Sequence, residues 1–410
     1  MFFKKHNDKE LYKHCIEALV IIGDEIRKAA DHNGPGMVAW GQFLDYGHST
    51  EQTGTYGTAA AVKTLAIVGE SDDSEYLKGG INWLRQSHDN SESRASKNND
   101  WAVTFKVCYF LEAMEPNKVE INETFSTADY FRDLMGRQLP NDGWGEFYFS
   151  IDNKDPDGSI VATALALYVL RRYVPFAGSN LGKEAALWFC KKIDTLPETN
   201  SIVIALATIA IHEYSEKYSE LKQPSVKLTE ILEQKLKNFP KNKNMPEFPH
   251  HFTVYDRKEG QSRNRYIFLP VDAVVSYALI ISGRYKRNKT YIDSVVSSYQ
   301  QSILANKGYS NPELAPRKST VNHYWIALLM RAYSDIKPIG IAESLILKLK
   351  ENAIVFWLLL ILISAGIWAG TFFLLQGLKS NTYYSGISPV VTLIVGFVID
   401  HLWRHAGKEK

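Results

Sequence analysis

Residues 159–173 constrain the fold of this chain more than any other stretch, because they are apolar on every side of a helix. A helix with no polar face must be buried all round. The stretch follows an amphipathic helical pattern over residues 125–138 and a loop rich in turn residues, including Asn141, Gly143 and Pro156. Such a loop predicts that the two helices fold back as an αα-hairpin. Asp157 or Ser159 is placed to cap the second helix.

The same pairing recurs along the chain, with an amphipathic first helix and a nearly all-apolar second helix. Recurrence of one supersecondary unit is the mark of a repeat architecture. The six predicted hairpins join 9–30 with 58–68, 73–86 with 101–114, 125–138 with 159–173, 181–193 with 201–214, 225–239 with 272–282, and 291–304 with 321–333. No alternating strand pattern competes. The sequence therefore predicts an all-α fold, an (α/α)6 toroid of about six hairpins whose second helices surround a common axis.

Composition agrees with one large helical domain and an appendage. The chain has 410 residues, of which 45% are hydrophobic, enough for a core of about 330 residues. A formal net charge of +2 gives no case for a nucleic-acid partner. The three cysteines, Cys15, Cys108 and Cys190, lie on apolar helical faces far apart in sequence, which is typical of buried thiols in a reducing compartment.

One motif resembles a known family. Gln138, then Gly143-Trp144-Gly145, then Ser159 and the run from Thr163 to Leu167 resemble the glutamine-tryptophan repeat of class II terpenoid cyclases such as squalene-hopene cyclase. Protein prenyltransferase β subunits share that toroid. The resemblance covers most of residues 1–335 as an architecture and implies that the glutamine and the tryptophan tie a loop to helix ends.

The resemblance also implies a catalytic acid. In the cyclases an Asp-x-Asp-Asp motif protonates an alkene or epoxide, and this chain has Asp155-Pro156-Asp157-Gly158 ahead of an apolar helix. Asp157 occupies the middle position with Asp155 beside it, but Gly158 replaces the last carboxylate. The alternative is that Asp157 caps the helix and Asp155 begins a turn. The prenyltransferase zinc site needs about three converging ligands, a pattern that this sequence lacks, so no cofactor is expected.

Two further sets of residues predict a ligand-binding face at the loop end of the second helices. Aromatic and histidine side chains at these positions could line an apolar pocket, or they could be core packing; they include Tyr56, Trp101, Trp144, Tyr148 and His323. The long connection over residues 239–270 is basic through Arg257, Arg263 and Arg265, and it could attract a phosphate or carboxylate near helix N-termini. A solvated loop is the alternative.

The last part of the chain changes composition abruptly. After a linker helix over residues 336–352, residues 353–375 are apolar and uncharged over about 34 Å, and residues 383–399 could return. The sequence predicts a transmembrane hairpin over residues 353–403, a tail over residues 404–410, and a cytoplasmic large domain, because Lys and Arg flank the hairpin on the outside of its turn. Copies of the chain could associate through this hairpin.

These patterns predict a membrane-anchored toroid that binds a ligand or protein partner at its loop face and acts as a sensor or effector through the hairpin. The ligand would be anionic or isoprenoid. The alternative is an isoprenoid- or lipid-processing enzyme that uses Asp157 as acid.

Overall fold

The structure, a computed structural model, describes residues 8–41, 44, 53–98, 108, 111–113, 127–145, 158–193, 201–238, 249–256, 261–268, 270–304 and 319–336. The chain divides into two compact units, Met1–Lys337 and Pro338–Lys410. Every described residue belongs to the first unit, so all that follows concerns that unit alone.

The described part of the chain is mostly helical, so the all-α prediction is confirmed. Residues 108 and 111–113 are helical as well. The twelve helices found in these ranges are α1 (Asp8–Lys28), α2 (Thr55–Val68), α3 (Glu75–Asn98), α4 (Thr127–Gly136), α5 (Ile160–Leu170), α6 (Val174–Ala177), α7 (Asn180–Lys191), α8 (Ser201–Lys217), α9 (Lys222–Asn238), α10 (Val271–Ile281), α11 (Lys289–Leu304) and α12 (Thr320–Ser334).

The second helix of each hairpin is the buried one, and these helices are called the inner helices: α2, residues 111–113, α5, α8, α10 and α12. In α5 every residue from Ala162 to Leu170 is buried, as expected of a helix without a polar face, whereas Arg172, at the end of the predicted stretch, is exposed. The Ser159 hydroxyl caps α5 by accepting from the Ala162 N–H at 3.3 Å. The first helices are amphipathic, and α1 leaves Tyr12, Ile16 and Val20 exposed.

The packing brings the first and last hairpins together. Helix α12 packs against α2 and α1, and α1 also packs against α11. Across the α1–α11 contact, Gln300 Nε2 donates to the Leu11 carbonyl at 2.7 Å. The other inner helices follow in series, since α5 packs against α8, α8 against α10, and α10 against α12. Residues almost 300 positions apart in sequence therefore share one core.

The connection between α9 and α10 differs from the prediction. The sequence predicted a basic loop over residues 239–270, but the chain there forms an antiparallel pair of strands, β3 (Pro249–Asp256) and β4 (Gln261–Phe268), after a short pair, β1 (Asp31–His32) and β2 (Val38–Ala39), earlier in the chain. The register pairs Pro249 with Phe268 and Asp256 with Gln261. Apolar residues at alternate positions of β3 suit a strand, and four residues connect the two strands.

The prediction of a two-span membrane protein is wrong. In the described part of the chain no helix is both long enough and apolar enough to cross a bilayer. The most apolar helix, α5, has 11 residues and is about 16 Å long, against roughly 30 Å of hydrocarbon. The longest helix, α3, has 24 residues but carries many charged and polar side chains. Residues 353–403, to which the spans were assigned, lie outside the described residues.

Candidate functional site

Four inner helices contribute polar side chains to one buried cluster. Lys63 comes from α2, Glu112 from the helical residues 111–113, Tyr168 from α5 and Tyr324 from α12. They are called the Lys63 cluster, and none of the four residues is more than 7% exposed. Lys63 is the one charged residue of α2, a helix otherwise built from Ala, Val, Leu, Ile, Thr, Gly and Tyr. The fold therefore places a charge where its neighbours are apolar.

The cluster is held together by direct contacts. Lys63 Nζ lies 2.7 Å from Glu112 Oε2, and the Tyr324 hydroxyl donates to Glu112 Oε1. The Tyr324 and Tyr168 hydroxyls are 3.4 Å apart. The ammonium of Lys63 also stands 3.8 Å from the centre of the Tyr324 ring. A carboxylate and an aromatic face thus hold one cation between them, the two groups that best stabilise a cation away from water.

Burial shifts the acid-base behaviour of these groups. The pKa of Lys63 is lowered because burial penalises the ammonium, although the neighbouring Glu112 carboxylate acts in the opposite direction. The pKa of Tyr324 is raised well above its ordinary value by burial and then by Glu112. Burial also raises the pKa of Tyr168, with Glu112 adding to the effect. Both phenols therefore keep their protons and act as donors near neutral pH.

Two more side chains surround the cluster. Arg171 stacks its guanidinium 4.0 Å from the Tyr168 ring centre and forms an ion pair with Glu213, with 3.0 Å between Nε and Oε1. Tyr277, from α10, lies within electrostatic reach of Arg171 and Glu112, and burial raises its pKa. The Tyr277 phenol therefore also keeps its proton near neutral pH.

Trp144, a predicted ligand-binding residue, is completely buried and fixes a loop. Its indole Nε1 donates to the Leu134 carbonyl at 2.8 Å near the end of α4, and its backbone N–H donates to Thr163 Oγ1 at 2.9 Å on α5. Its carbonyl accepts from the Ser159 N–H at 2.8 Å. Gln138 Nε2 donates to the carbonyl of Asp142 at 2.9 Å within the same turn. These contacts fix the loop base between two helices.

Trp40 makes the same set of contacts in the first hairpin. Its Nε1 donates to the Ile26 carbonyl at 2.8 Å in α1, and its N–H donates to Thr58 Oγ1 at 3.0 Å in α2. The Gly54 N–H, at the start of α2, donates to the Trp40 carbonyl at 3.1 Å. The sequence carries a trace of this equivalence, since Trp40-Gly-Gln-Phe matches Trp144-Gly-Glu-Phe. Thr58 lies inside α2 rather than ahead of it, because the helix begins at Thr55.

His323, another predicted ligand-binding residue, is fully buried in the first turns of α12. Its Nδ1 lies 2.9 Å from the Ser319 carbonyl, and its Nε2 lies 2.7 Å from Glu25 Oε2 on α1. A carbonyl oxygen can only accept, so Nδ1 carries the proton of that contact. The second contact then needs one more proton, on either Nε2 or the carboxyl group. This pair links the first helix of the chain to the last inner helix.

The remaining predicted site residues do not enter the Lys63 cluster in the described structure. Tyr56 lies half-buried in α2, and Arg263 and Arg265 lie on β4. The others are outside the described residues: Trp101, Tyr148, Asp155, Asp157 and Arg257. Within the described ranges no three His, Cys, Asp or Glu side chains converge in a way that could hold a metal ion.

Comparisons with known proteins leave the family open. No protein-family model matches this chain, and no curated protein matches it. The function is therefore inferred from the residues of the site.

Proposed function

We propose that the helical hairpins close into a ring, an (α/α)6 toroid, and that this ring binds a small polar ligand at the Lys63 cluster. The contact of α1 and α2 with α11 and α12 supports a closed ring, because an open superhelix would keep its first and last hairpins apart. The toroid of the terpenoid cyclases and prenyltransferases, which the sequence resembles, remains the nearest architectural prediction. The Trp144 and Gln138 contacts are the kind of loop-to-helix tie that this resemblance implies.

The observation that carries the functional proposal is the buried Lys63–Glu112 pair. A buried ion pair is often no more stable than apolar side chains of similar size, because both ions lose their hydration. A folding domain has little physical reason to place one among apolar inner helices. Buried titratable groups with perturbed pKa values and specific charge partners are, by contrast, concentrated at functional sites. The protonated Tyr277 hydroxyl nearby adds a donor that a bound molecule could use.

The character of the cluster favours a polar ligand over a hydrocarbon. An isoprenoid cyclase would need a dry, aromatic surface and an acid such as Asp157, which lies outside the described residues. The Lys63 cluster instead offers an ammonium, a carboxylate and phenolic hydroxyls that must be matched by polar atoms. Binding of an anionic ligand or a protein partner at the strand pair that carries Arg263 and Arg265 remains a second prediction from the sequence.

The proposal is tested by what the purified chain carries. Full-length protein is purified under native conditions and denatured, and the released small molecules are identified by mass spectrometry. We expect a compound at near one-to-one ratio with the wild-type chain and at least ten-fold less with Lys63→Met. The matched control is Lys78→Met, which removes a lysine that also pairs with a carboxylate at 2.7 Å but is exposed.

Each variant is first checked for native helical content by circular dichroism. Where Lys63→Met is poorly folded, Glu112→Gln serves instead, because it keeps the size of the side chain and removes only its charge. Equal amounts of compound on wild type and on a folded cluster variant would contradict the proposal. So would a wild-type chain that releases no compound and gains no thermal stability from any member of a library of polar metabolites.

A further inference from the structure

We infer that Lys63 is a nucleophile and that the ligand is an aldehyde or ketone, which Lys63 binds covalently as an imine. This inference rests on the proposed function, since it names the chemical class of the ligand at the same cluster. It is carried by the geometry around Lys63 Nζ, which contacts the Glu112 carboxylate and the face of the Tyr324 ring. The Tyr324 hydroxyl binds the other oxygen of the same carboxylate.

A lysine ammonium must first transfer a proton to a nearby base before its nitrogen can act as a nucleophile. Lys63 Nζ and Glu112 Oε2 are 2.7 Å apart, within direct proton-transfer distance. Transfer of one proton converts the ion pair into a neutral amine and a carboxylic acid, which suits a buried site because neither product is charged. Desolvation of a lysine is a known means of activating it toward carbonyl carbon.

The chemistry balances without any oxidant or further reactant. The neutral Nζ adds to the carbonyl carbon, the proton that this nitrogen loses moves to the carbonyl oxygen, and a carbinolamine forms. Glu112, which holds the proton that Lys63 gave up, returns it to the hydroxyl group, which leaves as water while the nitrogen lone pair completes the C=N bond. The net change is one lysine ammonium plus one carbonyl compound giving one protonated imine plus one water, with Glu112 again a carboxylate.

The cluster is also suited to hold the product. A protonated imine places its positive charge on the nitrogen that carried the ammonium, 3.8 Å from the Tyr324 ring centre and beside the Glu112 carboxylate. The same carboxylate and ring face therefore stabilise both cations. The pKa of Tyr324 is raised, so its hydroxyl remains a donor to Glu112 throughout. Tyr277 keeps its proton and provides a hydroxyl for a polar group elsewhere on the ligand.

Two other lysines show that the pairing distance alone does not define this site. Lys78 with Asp73, and Lys183 with Glu220, have the same 2.7 Å separation. Both pairs are accessible to water, and the pKa of Lys183 is raised by its partner rather than lowered. Both lysines are therefore internal controls for reactivity.

The experiment is reductive trapping. Sodium borohydride is added to freshly lysed cells that express the full-length chain, and in parallel to purified chain incubated with glyceraldehyde or pyruvate. The protein is then digested and its lysine-containing peptides are measured by mass spectrometry. A reduced imine adds the mass of the carbonyl compound less one oxygen atom. We expect this adduct on Lys63, at least ten-fold above the level on Lys78 and Lys183.

Variants separate the chemistry from simple binding. Lys63→Arg keeps a positive charge beside Glu112 but cannot form an imine, so trapping at this position should disappear. Glu112→Gln removes the proton acceptor and should slow labelling of Lys63 by ten-fold or more, with native circular dichroism retained. Labelling of Lys63 at or below the level of Lys78 and Lys183 in every arm overturns the inference.

Failure of this inference is distinct from failure of the proposed function. A compound that copurifies with the wild-type chain without any borohydride-dependent adduct would show that the cluster binds its ligand without a covalent bond. Absence of both the compound and the adduct would remove the two proposals together.

Discussion

Replacing Lys63 by methionine leaves the Glu112 carboxylate buried without its cation, and the size of the effect can be worked out from the contacts. Removing one partner of a buried pair destabilises a protein by about 3–5 kcal/mol. Glu112 keeps the hydrogen bond from Tyr324, so we expect a value near the lower end, about 3 kcal/mol. Glu112→Leu removes the carboxylate that lies 2.7 Å from Lys63 Nζ and should have an effect of about 3 kcal/mol as well.

The double variant Lys63→Met/Glu112→Leu removes both charges at once. What remains is the Tyr324 hydroxyl without its carboxylate acceptor, still 3.4 Å from the Tyr168 hydroxyl. We expect a loss of about 1 kcal/mol for this weakened hydrogen bond. The single variants would predict about 6 kcal/mol if they were independent, so the coupling free energy between the two sites should be about 5 kcal/mol.

Equilibrium unfolding in urea measures these values. Tryptophan fluorescence is a suitable signal, because the Trp325 ring lies 4.8 Å from the Tyr324 ring. The control is the exposed pair, with Lys78→Met and Asp73→Leu, for which we expect no coupling outside experimental error. The reasoning is refuted if the double variant is as unstable as the sum of the single variants, or if Lys63→Met unfolds at the same urea concentration as Lys78→Met.

Three other outcomes follow from the described contacts. Trp144→Phe removes the indole hydrogen bond and should lower the free energy of unfolding by about 1 kcal/mol beyond the loss of ring area. The comparison is Trp188→Phe, at an indole for which the described residues provide no such bond to a helix end, and equal effects would count against the loop-fixing role. Thr163→Val keeps the shape of the side chain but leaves the buried N–H of Trp144 without its acceptor, so urea unfolding should show a loss of about 1–3 kcal/mol, and an unchanged midpoint would disprove that contact. Burial raises the pKa of both Cys15 and Cys190 from 9.0 to about 12, so these thiols hold their protons more tightly in the folded state. Their contribution to the free energy of unfolding is complete below pH 9. It is lost as pH rises toward 12, by about 1.4 kcal/mol per pH unit for each thiol. Replacing both cysteines by alanine should make the free energy of unfolding fall less steeply between pH 9 and 11 than it does in wild type. The same slope in the double variant and in wild type would refute this assignment.

The local sequence pattern predicted which stretches form helices, but it did not predict the exact residues at which each helix begins. The apolar run of α5 and the hydroxyl of Ser159 predicted a buried helix and its cap, because both depend on neighbouring residues. Helix α2 begins at Thr55 with Gly54 as its N-cap, three residues before the predicted start, because the loop that ends there is fixed by Trp40. That contact joins residues from two parts of the chain.

The strand pair β3–β4 was not predicted from the sequence pattern, which indicated a loop over residues 239–270. Its two strands pair with each other by backbone hydrogen bonds, and each strand is only eight residues long. Basic residues such as Arg263 and Arg265 predicted a loop that attracts an anion or is solvated, because clustered charge is more typical of a loop than of a strand. The alternation of Phe252 and Val254 was the available signal.

The candidate site was only partly visible in the sequence. A lone Lys63 inside an apolar helix is a recognisable anomaly, and Tyr324 directly follows His323, one of the predicted ligand-binding residues. The sequence gives no comparable signal for Glu112 or Tyr168, because a single acidic or aromatic residue is common in a helical pattern. Their meaning comes from distances of 2.7 Å and 3.4 Å to side chains far away in the chain.

The sequence by itself determined the helical class, the pairing of an amphipathic helix with an apolar one, and the burial of the apolar member, since all three follow from the spacing of residues within one or two turns. The tertiary structure alone decided that residues 63, 112, 168 and 324 meet, that the first and last hairpins touch, and that Trp40 and Trp144 have equivalent roles. The physical reason is one of range: side-chain periodicity acts over a few residues, whereas an ion pair between Lys63 and Glu112 exists only after whole helices have packed.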